Sequence, residues 1–155
     1  MTSQRIFQWP TGRKTSPRPK TSFIVVHCTA TREGQNFDAT DVDGWHLKQG
    51  WAGIGYHYLV KRDGSIEAGR PEGTIGSGAA GHNSDSVHVV YVGGVAQDGK
   101  TPKDTRTPEQ KDALKQLLRS LKAKYRGAVI QGHRDFPKVA KACPSFDAKR
   151  EYASL

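Results

Sequence analysis

The stretch GHRDFPKVAKACPSFD (132–147) sets His133 and Cys143 ten residues apart, with Lys141 two positions before the cysteine. The chain has two cysteines, and the other, Cys28, directly follows His27. Four chemistries are open to Cys143: core thiol, half of a disulfide, nucleophile or metal ligand. A nucleophile wants a neighbouring base and a lowered pKa. His133 is a candidate base, but no local thiol-protease signature surrounds the cysteine. A disulfide would need Cys28. That residue is adjacent to His27 on an expected strand, so the two side chains point to opposite faces. If His27 faces a site, Cys28 faces away as a small buried apolar residue. A zinc ligand needs about two further N or S donors and an open fourth position for catalysis. His27 and His133 are the best placed donors, with Asp135 and Asp147 as alternatives. His46, His57, His82 and His88 each read, taken singly, as surface or satisfied core residues. Lys141 alone reads as a solvated lysine, and Tyr56 as a half-buried strand aromatic on the opposite side from His57.

The elements that must position these residues follow from periodicity and punctuation. SFIVVH (22–27) is an apolar, β-branched run and predicts a buried strand ending at His27. Thr40 with Asp43 has capping-box spacing and predicts a helix over 41–49, stopped by Gly50 and weakened by Gly44. GYHYLVKRDGSIEAG (55–69) predicts a hairpin turning at Asp-Gly. The glycine-rich 70–85 reads as a long loop, and SVHVVYVGG (86–94) as a strand closed by Gly-Gly. Thr107-Pro108-Glu109-Gln110 combines an N-cap, a proline at the first helical position and a capping-box partner. Ala113, Leu114, Leu117, Leu118, Leu121 and Tyr125 then recur at helical spacing up to Gly127. AVIQGH (128–133) predicts a short strand ending at His133. Two strands thus each deliver a histidine where the chain leaves the sheet, the place where α/β architectures build sites.

The totals bound the class. At 155 residues the chain suits one domain with a workable core, and no stretch approaches a membrane span. The first 22 residues lack the apolar middle of a signal peptide, so cytosolic synthesis is expected, with thiols kept reduced. Net charge is +9. Residues 1–22 carry Arg5, Arg13, Lys14, Arg18 and Lys20 without an acid and read as a basic arm, mobile or an extended edge segment. The 100–126 segment is also basic. Such a balance favours acidic partners or is simply a solvated surface. No aromatics interleave the basic run at 100–124, which argues against a single-strand nucleic-acid platform.

Taken in order, IVVHCTAT, WHLKQGWAGIGYHYLVKRDGSIEAGR, VGG, LKAKYRGAV, and GH followed by VAKACPSFD resemble the zinc-dependent N-acetylmuramoyl-L-alanine amidases of the type 2 amidase family. These are relatives of the peptidoglycan recognition proteins, and the resemblance is greatest to the podovirus phage endolysins. It runs from about Phe23 to Tyr152, over four-fifths of the chain. It implies an α/β fold, a single domain with a mixed central β-sheet flanked by helices, over 23–155. It implies Zn2+ held by His27, His133 and Cys143, with Tyr56 and Lys141 catalytic, Tyr56 as base or oxyanion donor. The substrate implied is bacterial peptidoglycan, cut between N-acetylmuramic acid and L-alanine. The enzyme would be a monomer made in the host cytoplasm, reaching the wall after the membrane is permeabilised. Two positions depart from the phage pattern: Gly78 stands where a histidine usually follows Gly-Ser, and His88 where a glycine usually follows in the next strand.

The rival readings implied by the resemblance are a non-catalytic peptidoglycan-binding protein and a regulator of phage RNA polymerase. Recognition proteins that do not cut typically lack the cysteine ligand, and Cys143, Tyr56 and Lys141 are all present here. No motif reports polymerase binding. The basic arm is a candidate contact for anionic envelope polymers.

Overall fold

The β-branched run that ends at His27 becomes the second-to-last strand of a five-stranded sheet, with parallel neighbours on both sides. A computed structural model describes residues 6–155; the first five residues of the expected arm, Arg5 among them, lie outside the described residues. In chain order the elements are β1 (Phe23–Cys28), β2 (Thr31–Arg32), α1 (Ala39–Lys48), β3 (Tyr58–Val60), β4 (Ile66–Ala68), β5 (Ser86–Tyr91), β6 (Gly94–Val95), α2 (Pro108–Lys124), β7 (Val129–Gly132) and α3 (Ala148–Glu151). Single 3-10 turns occur at Asn83–Asp85 and His133–Asp135. The sheet order is β4-β3-β5-β1-β7, with β4 the one antiparallel member, so the sheet is mixed. β2 and β6 form a separate parallel pair.

Strand parity sorts the side chains into two layers. Ile24, Val26 and Cys28 of β1 join Val87, Val89 and Tyr91 of β5 against Leu114, Leu118 and Leu121 of α2. Full burial of Leu114 and Leu118 contributes about 1.5–3 kcal/mol each. On the other side, Val90 packs with Ala39 and Val42 of α1, while Val25 packs with Ala79 and Phe136. His27 and His88 take the alternate positions of their strands, on this second face. Helices therefore cover both faces, as an α/β sheet requires. Among the described residues no helix is long and apolar enough to cross a membrane.

The start of α1 differs from the sequence expectation. Asp38, not Thr40, is the N-cap: its carboxylate accepts from Asp41 N–H and Asp41 returns the bond to Asp38 N–H. The same three-residue spacing occurs twice in this stretch, and the earlier carboxylate takes the cap. Asp43 is thereby released for tertiary use. It accepts from Ile54 N–H at 2.7 Å and from Arg13 Nη1 at 2.7 Å. The cap of α2 is the expected Thr107–Gln110 box. Its basic residues Lys111, Lys115, Arg119 and Lys124 are exposed, a solvated face.

Residues 6–22 lie against the domain. Pro17 bridges Thr74 in antiparallel fashion, flanked by Arg18 N–H to Gly73 O and Ile75 N–H to Ser16 O, both 2.8 Å. The Arg13 and Arg70 guanidinium groups lie 4.9 and 5.1 Å from the Trp9 ring centroid, and the Arg18 guanidinium donates to the carbonyls of Glu72 and Thr74. Two of the segment's charges thus face partners within the protein.

Glu72 anchors the same seam. Its carboxylate accepts from Tyr58 Oη (2.6 Å), Tyr125 Oη (2.5 Å) and Lys124 Nζ (2.6 Å). Burial opposes its ionisation, yet the bonds from Lys124, Tyr125 and Tyr58 prevail and hold the carboxyl at about 2. Because the folded value lies below the unfolded 4.5, the contribution is present above pH 4.5 and is lost as pH falls toward 2. After discounting for solvent screening it is on the order of 1 kcal/mol. Urea unfolding of Glu72→Gln should therefore trail the parent more at pH 6 than at pH 3, the gap narrowing further as pH falls toward 2. A gap of equal size at both pH values would exclude this role.

Candidate active site

β1 and β7 deliver His27 and His133 side by side, because parallel pairing sets Val26 opposite Gly132. Their ring centroids are 4.9 Å apart. His27 is fully buried, and His133, the first residue beyond β7, is half-buried. Cys143 arrives from the loop before α3. Arg134 N–H donates to Cys143 O at 2.9 Å, Tyr91 Oη to Pro144 O at 2.6 Å and Ser145 Oγ to Gly94 O at 2.8 Å. Gly132 permits the approach: a Cβ there would meet Pro144 Cδ at 2.6 Å.

One donor atom from each of His27, His133 and Cys143 lies within 4.8 Å of the others, the one such metal-capable group among the described residues. His27 Nδ1 is 3.8 Å from Cys143 Sγ. Tetrahedral coordination with ordinary Zn–S and Zn–N bonds would place such atoms ~3.5 Å apart. The donor set of two imidazoles and one thiol fits a divalent borderline-soft ion. Asp135 is not among these donors; its carboxylate accepts from Gly132 N–H at 2.8 Å. Asp147 caps α3.

The electrostatics of this pocket favour ligand chemistry. Burial first, then neighbouring imidazoles and the Lys141 charge, push His27 well below its ordinary value. Burial and Lys141 lower His133 as well. Both rings are therefore neutral at pH 7, with lone pairs to offer. The neighbouring Cys28 and burial hold the Cys143 thiol up. A metal must displace that proton. Once it does, the Cys28 N–H, 3.2 Å from Cys143 Sγ, is in place to stabilise the thiolate. Both cysteines are free, and Cys28 sits in the apolar cluster on the other side of the sheet.

Tyr56 and Lys141 flank this centre. The Tyr56 ring lies 5.0 Å from that of His27 and 5.3 Å from that of His46. Burial, reinforced by the two cysteines, raises its phenol above the ordinary value, so it carries its proton at neutral pH. Lys141 is exposed and lines two adjoining hollows of about 770 and 250 Å³. His133, Trp51 and Gly78 are also common to both, so one groove leads to the metal-capable group.

Three residues of this site escape a reading of the sequence alone. His46 Nδ1 accepts from Gly55 N–H at 2.9 Å, fixing the backbone just before Tyr56, and burial lowers its pKa to about 4. His88 Nδ1 lies 2.9 Å from His27 Nε2, and Asn83 Oδ1 lies 3.1 Å from His88 Nε2. The i, i+9 reach of His46 to Gly55 follows from the α1–β3 connection and the i, i+5 reach of Asn83 to His88 from the turn before β5; the His27–His88 contact depends on the pairing of β1 with β5.

Residues 16–146 match the family described as N-acetylmuramoyl-L-alanine amidase. The chain is 47% identical over 134 residues to the endolysin of Enterobacteria phage T3, covering 86% of this chain and 87% of that protein. It is 47% identical over 133 residues to the endolysin of Escherichia phage T7, covering 86% of each. Among solved structures it resembles the N-acetylmuramoyl-L-alanine amidase LysC from Clostridium intestinale URNW, with a TM-score of 0.77 and 28% identity over 97% of this chain and 94% of that one.

Proposed function

Because the chain belongs to the N-acetylmuramoyl-L-alanine amidase family and is an enzyme of that class, we propose that His27, His133 and Cys143 hold zinc and that the groove beside them takes the peptidoglycan stem. The observation that carries this reading is the convergence of three donor atoms within 4.8 Å at the end of that groove. The bond cut joins the lactyl group of N-acetylmuramic acid to L-alanine. Zinc, when bound, supplies Lewis acidity toward water and the scissile carbonyl.

The chain's own residues do the rest. The two neutral imidazoles and the Cys143 thiolate leave a formal charge of +1 at the centre. Lys141 sets its ammonium where the carbonyl oxygen gains charge on attack, a preorganised stabiliser that costs no reorganisation at that moment. Tyr56 keeps its phenolic proton and donates a hydrogen bond to the same developing oxyanion, acting as donor rather than base; its raised phenol supports this reading. His46 holds Gly55, and so Tyr56, in place. The biological role is that of an endolysin, acting on the wall from the host cytoplasm once the membrane is permeabilised.

Mass spectrometry of purified sacculi digested by the zinc-loaded protein tests this directly. Peptides beginning with free L-alanine should appear with zinc and be absent with chelator. New sugar reducing ends would mean a glycosidase, and binding without soluble product would mean a recognition protein.

A further inference from the structure

Asn83 Oδ1 accepts from the backbone N–H groups of Gly78 (2.9 Å) and Ala79 (3.0 Å), so this atom is the amide oxygen. It lies 3.1 Å from His88 Nε2 and can only accept there, which places the His88 proton on Nε2. His88 Nδ1 must then be the acceptor of the 2.9 Å bond to His27 Nε2. His27 accordingly carries its proton on Nε2 and leaves the Nδ1 lone pair facing Cys143 Sγ. His88 is completely buried, and its own backbone N–H donates to His57 Nδ1 at 2.9 Å. The backbone N–H groups of Gly78 and Ala79 thus set the direction of each hydrogen bond from Asn83 through His88 to His27.

The space around His88 is equally specific. A Cβ built at Gly78 would meet His88 Nδ1 at 2.7 Å, His88 Cγ at 2.9 Å and His27 Nε2 at 3.0 Å. A side chain at 78 and the imidazole of His88 compete for one volume. Gly78 and His88 thus meet at this point, against the same nitrogen of His27.

We propose that His88, seated on β5 and oriented by Asn83, is a positioning residue for His27. It selects the Nε2–H tautomer and so makes Nδ1 the ligand atom, and Gly78 is the space its ring needs. This rests on the zinc reading above for its consequence, but not for the tautomer itself. Outer partners that orient a ligating histidine typically govern affinity by about 10–100-fold.

The test has two readouts on the full chain. Long-range proton–nitrogen correlation of the imidazoles in metal-free protein should show His27 as the Nε2–H tautomer. Competition with a chromophoric chelator measures zinc affinity. His88→Val, which removes the acceptor but keeps an apolar strand residue, should scramble the His27 tautomer and weaken zinc about 10–100-fold. His88→Asn restores an acceptor near the Nδ1 position and should recover affinity to within roughly threefold. A purely structural His88 would lower the thermal midpoint in both variants without separating their zinc affinities. If His88→Val does not fold, Gly78→Ala takes its place, since its methyl displaces the ring. The proposal is overturned by a parent His27 protonated on Nδ1, or by parental zinc affinity in His88→Val or its substitute. A parent with the expected tautomer that takes up no zinc overturns the zinc reading instead.

Discussion

Cys143→Ser should lose zinc and amide hydrolysis together while remaining folded. The loop that carries this residue is held by Arg134 N–H to Cys143 O, Tyr91 Oη to Pro144 O and Ser145 Oγ to Gly94 O, none of which involves the sulfur. The serine hydroxyl is smaller, harder and protonated at any working pH, so it replaces a thiolate ligand with a neutral, weakly donating oxygen. Only His27 and His133 would then remain of the three donors. The loss should exceed the about 10–100-fold typical of removing an outer partner, and activity should fall to the level of chelated protein. Zinc stoichiometry after gel filtration, with a thermal midpoint measured in chelator as the folding control, checks both halves. A variant that retains one equivalent of zinc and parental turnover would sink the ligand assignment.

The pattern of what the sequence shows and hides has a physical basis in this fold. β1, the β3–β4 hairpin and α2 are legible because each is written in local signals: a β-branched run, an Asp-Gly turn, a Thr-Pro-Glu-Gln cap. The positions of His27 and His133 at strand exits are legible for the same reason. That they meet depends on β1 pairing with β7 across roughly a hundred residues; residue types alone leave Asp135 and Asp147 as alternative donors, and the resemblance to the amidase family singles out the set. His88 is hidden more deeply. It is one histidine in an apolar strand, and its meaning comes from the β1–β5 register that puts Val25 opposite His88 and so leaves His27 one step along the same face. The misplaced cap of α1 has a different cause. Asp38 and Thr40 offer equivalent local chemistry, and the tertiary demand of Arg13 and Ile54 on Asp43 decides between them. The basic segment before β1 is similar: composition allows a mobile arm or an extended edge segment, and Arg13 and Arg18 have partners that only the folded domain supplies.

Lys141→Ala and Tyr56→Phe should each keep zinc and each lower turnover by about 10²–10³-fold, the effect typical of removing one oxyanion donor. Neither residue supplies a donor atom to the metal-capable group, and neither change leaves a buried charge. Lys141 is exposed at the junction of the two hollows, so its truncation leaves the core intact, while its charge reaches far enough to lower His27 and His133. Tyr56→Phe conserves the ring that packs against His27 and His46 and removes only the hydroxyl. If both groups serve one oxyanion, the double variant should fall by less than the product of the single effects, because the remaining donor reorients when its partner is gone. Rates of L-alanine-peptide release from soluble fragments, measured beside zinc content, separate the possibilities. Metal loss in either variant would reassign that residue to holding the centre together. Full turnover in Tyr56→Phe with zinc retained would leave Lys141 as the sole side-chain stabiliser of the oxyanion.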